Sequence, residues 1–161
     1  MAITISGSGQ VPVQLVQSVL TAQQSTTSNS MVDSGLTLNI TPKNSANKVL
    51  VSVSMVLYNT SGYSIGLNLV RNGTAVGQGT ASTNTNSTAA TIGSYTNQPV
   101  SLSFSYLDSP SSTSLVTYKV QYRTQSGGTA YINAGAYVSG GSDTYQSGYI
   151  STITAQEISG A

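Results

Sequence analysis

Nine side chains in this sequence are charged at neutral pH: the acids Asp33, Asp108, Asp143 and Glu157, and the bases Lys43, Lys48, Arg71, Lys119 and Arg123. Paired carboxylates supply the acid and base of glycoside hydrolysis, and acidic loops hold calcium through oxygen ligands. Here the acids lie far apart, without Asp-x-Asp spacing, and read as isolated surface or turn carboxylates. Asp108 with Asp143 or Glu157 is the carboxylate pairing that stays open. Within Leu107-Asp108-Ser109-Pro110 the residue types predict that Asp108 bonds to its own turn backbone. The chain has no His and no Cys, which removes thiolate nucleophiles, imidazole bases, disulfides and the usual zinc or copper ligand sets. Gly7-Ser8-Gly9 is followed by neither Gly-Lys-Ser/Thr nor a helix signal, so it is no phosphate loop. The expectation is a protein that is not an enzyme, with no catalytic residue, metal or cofactor.

Charge narrows the partners as well. Charged residues make up 6% of the 161-residue chain and the net charge is +1, where soluble domains average roughly 25% charged. Without a basic cluster there is no footprint for a phosphate backbone, so nucleic acid is not expected as a partner. The first residues show no basic region and no apolar core of a secretory signal, and no apolar run is long enough to span a bilayer. The sequons at Asn39, Asn59, Asn72 and Asn86 are what a chain rich in Asn, Ser and Thr shows by chance.

Sixteen glycines and abundant Ser and Thr raise the question of disorder, but the apolar residues are patterned. Val49, Val51, Val53, Met55 and Leu57 alternate strictly, with Leu50, Val56 and Tyr58 on the other face, as in a central strand covered on both sides. The same period runs through Leu36–Ile40, Tyr63–Leu69, Val100–Tyr106, Val116–Tyr122, Ala130–Val138 and Ile150–Ile158. Asn72-Gly73 has the pair of residues that a two-residue type I′ hairpin requires, with a strand continuing from Ala75 to Thr80. Val13 to Gln24 also fits helical spacing, but its Val content and scarcity of Ala favour a strand. Residues 81–97 read as a long exposed loop. About 8–10 short strands separated by Gly, Ser and Asn turns predict an all-β antiparallel sandwich, jelly roll or barrel, with residues 1–10 as a separate arm and residues 11–161 as one domain.

Several blocks in a fixed order carry a resemblance: Thr41-Pro42-Lys43, Lys48-Val-Leu-Val, Leu69-Val-Arg-Asn-Gly-Thr, Tyr106-Leu-Asp-Ser-Pro, Thr117-Tyr-Lys-Val-Gln, Thr129-Ala-Tyr-Ile-Asn and Ser151-Thr-Ile-Thr-Ala-Gln-Glu-Ile. Together, from Val11 to Ile158, they resemble a family of bacteriophage virion proteins of aquatic phages. These domains are similar to the trimeric jelly-roll heads of tumour necrosis factor and complement. Where the family often has Asn-Arg-Ser after its Tyr-Ile pair, this chain has Asn133-Ala134-Gly135.

The resemblance implies a homotrimer on the exposed surface of a phage particle. Ten Tyr against one Phe and no Trp suits half-wet contacts, because Tyr offers large area plus a hydroxyl. Tyr58, Tyr106, Tyr118 and Tyr122 read as core or cross-strand residues, and Tyr131, Tyr137, Tyr145 and Tyr149 as candidates for trimer interface or ligand. Two functions are expected. The first is a capsid decoration, a cement or short head fibre, held on the major capsid protein or another virion protein by the arm. There Ile3, Thr4, Ile5, Ser6 and Gly7 alternate as a strand that a partner sheet could accept; only about ten residues precede the domain, shorter than a fibre shaft. The alternative is the receptor-binding tip of a tail fibre, recognising a host surface glycan or envelope protein through residues 81–97 and 135–147, with threefold avidity. No membrane insertion is expected. A monomer so poor in charge would expose sheet edges prone to aggregation, so closure into a trimer is expected to cover them.

Overall fold

The computed structural model describes residues 12–80, 88–93, 98–135 and 148–160. Among them are eleven strands: β1 (Pro12–Leu20), β2 (Gln24–Thr26), β3 (Val32–Ile40), β4 (Lys48–Asn59), β5 (Ile65–Arg71), β6 (Thr74–Val76), β7 (Ala90–Ile92), β8 (Val100–Asp108), β9 (Val116–Thr124), β10 (Ala130–Ile132) and β11 (Ser151–Ile158). They pair antiparallel in two sheets. The first runs β1-β11-β4-β8, with β10 and β2 continuing from the far end of β4; the second runs β3-β9-β5, with β6 and β7 on β5. The chain crosses between sheets at β2 to β3, β3 to β4, β4 to β5, β7 to β8, β8 to β9 and β9 to β10. That winding makes a jelly-roll sandwich, an all-β architecture that buries one face of each sheet against the other.

Strand parity decides what fills the core. Leu36, Leu38 and Ile40 of β3 meet Val49, Val51, Val53, Met55 and Leu57 of β4, Tyr118, Val120 and Tyr122 of β9, and Ile153 and Ala155 of β11, all buried. β1 is a strand, as its Val content favours, and pairs along β11 from Leu20↔Ser151 to Pro12↔Ile158. Asn72 and Gly73 have φ of 47° and 87°, the two positive values of a type I′ turn. The turn is also docked: Asn72 Oδ1 accepts from the Thr117 amide at 2.8 Å, and the Asn72 amide donates to the Thr117 carbonyl at 3.0 Å.

Three elements differ from the periodic pattern. The strand after the hairpin ends at Val76, because Gly77 turns the chain with φ of 64°. A short strand, β7, lies inside the stretch read as one long loop and pairs with β5. The alternation after Ala130 stops at Ile132 because Asn133 sits at φ 59°. Its amide side chain donates to the Leu20 carbonyl at 2.7 Å, and its Oδ1 accepts from the Ser151 hydroxyl at 2.7 Å. Buried Asn133 thus ties the end of β1 to the start of β11 and ends β10.

Candidate subunit-contact face and the buried carboxylates

The register of the first sheet lines up three rows of outward side chains across its four long strands. The rows are Leu15, Gln156, Leu50 and Leu107; Gln17, Thr154, Ser52 and Ser105; and Val19, Thr152, Ser54 and Ser103. Leu15 is 64% exposed, and Val19 and Leu107 nearly half. The hydroxyls partly satisfy one another: Gln17 Nε2 donates to Thr154 Oγ1 at 3.0 Å, and Ser103 to Ser54 at 3.2 Å. Between them runs a shallow groove of about 360 Å³, with Val53 and Phe104 at its floor. Among the described residues, this face carries one charge, Lys48, at the end of β4.

The outer face of the second sheet is its opposite. Lys119 Nζ donates to Asp33 at 2.6 Å and Gln121 Nε2 at 2.8 Å, with Arg123 farther along β9. The hydrogen bonds from Lys119 and Gln121 hold the Asp33 carboxyl below its ordinary value. One sheet therefore shows water an ordinary charged surface, while the other shows leucine, valine, serine and threonine.

Two of the four acids lie inside the protein, which corrects their reading as surface or turn groups. Glu157 follows Ile153 and Ala155 on the inward parity of β11 and is fully buried. Its Oε1 accepts from the Lys43 amide at 2.7 Å and Asn47 Nδ2 at 2.6 Å, and its Oε2 from Gln14 Nε2. Burial pushes this carboxyl up, but the hydrogen bonds from Asn47, Gln14 and the Lys43 and Asn44 amides outweigh it and leave the pKa lowered. Glu157 thereby fastens β1 and the 41–47 turn to β11.

Asp108 follows Leu102, Phe104 and Tyr106 on the inward parity of β8. The residue types predict a bond to its own turn, and the structure corrects that reading. Instead its carboxylate accepts from Arg71 Nη1 at 2.7 and 2.9 Å and from the Tyr118 hydroxyl at 2.6 Å. This joins β8 of one sheet to β5 and β9 of the other at the open side of the sandwich. Burial, with the hydrogen bond to Asp108, pushes the Tyr118 phenol far above its ordinary value. Inward parity was the signal that marked both carboxylates, and Arg71 was readable only once the fold brought β5 beside β8. Glu157 and Asp108 sit in separate hydrogen-bonded clusters, and Asp143 lies outside the described residues. No three His, Cys, Asp or Glu side chains gather among the described residues.

Of the tyrosines, Tyr118, Tyr122 and Tyr58 are core residues and Tyr106 is half-buried. Tyr131 on β10 is half-buried and stacks on its cross-strand neighbour Tyr58, with centroids 4.8 Å apart and planes at 10°. Tyr149 is half-buried two residues ahead of β11. Tyr137 and Tyr145, and the arm residues Ile3, Thr4, Ile5, Ser6 and Gly7, lie outside the described residues.

No family model matches the sequence, and no curated protein matches it. Among solved structures the chain is similar to a chain of infectious bursal disease virus, Gt strain, at 14% identity and a TM-score of 0.43, covering 99% of this chain and 43% of that one. The Gx strain of the same virus gives 13% identity and a TM-score of 0.37, covering 99% and 41%. The chain spans less than half the length of either. The jelly-roll sandwich stands on this protein's own strand pairing.

Proposed function

We propose that this chain is a structural protein of a virus particle and works as a homotrimer whose copies meet through the outer face of the first sheet. The observation that carries the reading is the nearly charge-free face built by β1, β11, β4 and β8. Subunit interfaces are depleted of charge at their centre, while the polar rim stays wet, and exposed apolar patches mark contact sites. The jelly-roll sandwich, and the resemblance of residues 11–158 to phage virion proteins, supply the setting.

On the particle, the trimer is a capsid decoration. A protein that binds only the assembled lattice stabilises it by mass action, and a trimer multiplies weak single contacts. Attachment falls to the Ile3–Gly7 segment, whose alternation suits strand addition to a capsid partner. Native mass spectrometry tests the assembly: the expected species has three times the 16.5 kDa chain mass, and Leu15→Glu abolishes that species. Heating particles with and without the protein tests the cement role, and particles lacking it should lose their genome at lower temperature. If antibody labelling finds it only at a tail tip, the fibre-tip alternative replaces decoration.

A further inference from the structure

At the open side of the sandwich, where β6 runs out beside β8, lies a cleft of about 600 Å³ that shares only Leu107 with the assembly face. A volume of this order suits a small polar molecule or the end of a chain. Its lining is mostly polar, with Arg71, Gln78, Asp108, Ser109, Gly77 and Gly79, and its apolar members are Ala75, Val76, Tyr106 and Leu107.

Asp108, 4% exposed, grips Arg71 through Nη1 alone, and the same nitrogen also reaches the Ser109 carbonyl at 3.3 Å. Among the described residues no acceptor takes the donors of Nε and Nη2, in a side chain 28% exposed. The guanidinium is thus rigidly placed, with its charge offset by a carboxylate 2.7 Å away. Gly77 brings the backbone against Tyr106: a Cβ there would stand 2.8 Å from the ring carbons. Gln78 Nε2 is steadied by Asn68 Oδ1 at 3.0 Å.

We propose that this cleft binds a neutral saccharide. A charge-balanced site gains little from an anion or a cation, and a polar lining disfavours an apolar ligand. Planar donors held in fixed geometry match adjacent hydroxyls, and a half-buried tyrosine gives the C–H face of a sugar ring an apolar surface beside a hydroxyl. Pre-placement by Asp108 and Tyr118 lowers the entropy lost on binding. This inference goes beyond the virion reading and does not depend on it, since it concerns the isolated protein.

The test is amide NMR of the full chain with glucose, galactose, mannose, N-acetylglucosamine and the anionic glucuronate, each at about 100 mM, enough to load a site of millimolar Kd. At least one neutral sugar is expected to shift the amides of Gly77, Gln78, Gly79 and Ser109. Gly79→Leu should block the cleft without disturbing the fold, because a Cβ at Gly79 meets nothing within 4 Å, and should weaken binding at least tenfold. Arg71→Lys keeps the ion pair but loses the spare planar donors, and should weaken it several-fold. Shifts by none of the neutral sugars, shifts confined to glucuronate, shifts mapping elsewhere, or full binding by Gly79→Leu each overturn the proposal.

Discussion

Replacing Glu157 by Leu leaves a shape of similar size where a carboxylate accepted from Lys43, Asn47 and Gln14. The Lys43 amide belongs to the backbone and cannot turn away, and Asn47 is buried at 6% exposure. A buried donor stripped of its partner costs about 1–3 kcal/mol, so these two cost about 4 kcal/mol together. Gln14 is half-buried and also donates to the Thr41 carbonyl, so its loss adds little. Burying Leu instead returns about 1–2 kcal/mol. The expected net loss is about 2–3 kcal/mol, or a fall in Tm of roughly 4–12 °C for a domain of this size. Glu157→Gln keeps an acceptor for Lys43 and Asn47 and lets Gln14 reverse its amide, so it should cost only about 1 kcal/mol.

The pH dependence follows with a definite sign. The folded carboxyl titrates below its ordinary value of 4.5, so its stabilisation is fully present above that value and is lost as pH falls through the lower, folded value. Wild type should therefore lose stability on acidification in that window, and Glu157→Gln should lose less. The assay is urea unfolding at a fixed protein concentration, because an oligomer's stability depends on it. A Leu variant within 1 kcal/mol of wild type, or a Gln variant with the wild-type acid profile, would refute the reasoning.

Gly128→Ala puts a methyl 2.6 Å from Asn59 Oδ1 and Ser61 Oγ at a φ of 67° and should cost about 2 kcal/mol or more in thermal unfolding. Asn72→Ala loses both the type I′ preference and the Thr117 bond, about 1–2 kcal/mol by urea denaturation. Tyr118→Phe removes one of the three hydrogen bonds to buried Asp108 and should cost about 1–2 kcal/mol; an unchanged urea midpoint would contradict the cluster. In an ultraviolet titration, Tyr122, its phenol raised to about 12 by burial, should ionise around that pH, with Tyr118 ionising later still.

What the sequence made legible follows from where the determinants are local. The hairpin at Asn72-Gly73 and the strand from Lys48 to Asn59 are set by adjacent residues and by parity, and both stand in the structure. The end of β10 at Asn133 depends on a backbone turn stabilised from β1 and β11, elements more than a hundred residues away on one side and eighteen on the other, so alternation alone runs past it. The same holds for Asp108, whose turn-like neighbours Ser109 and Pro110 hide partners on β5 and β9. Ser52 and Ser54 break the apolar sequence between Val49 and Tyr58. Only the register with β8 and β11 turns them into rows of a face.

The most direct test of the central claim is a cryo-electron microscopy reconstruction of the particle that carries this protein. The account predicts threefold density on the particle surface, with β1, β11, β4 and β8 of each copy turned toward the threefold axis. Its absence from the particle, or copies whose first sheet faces solvent, would contradict it.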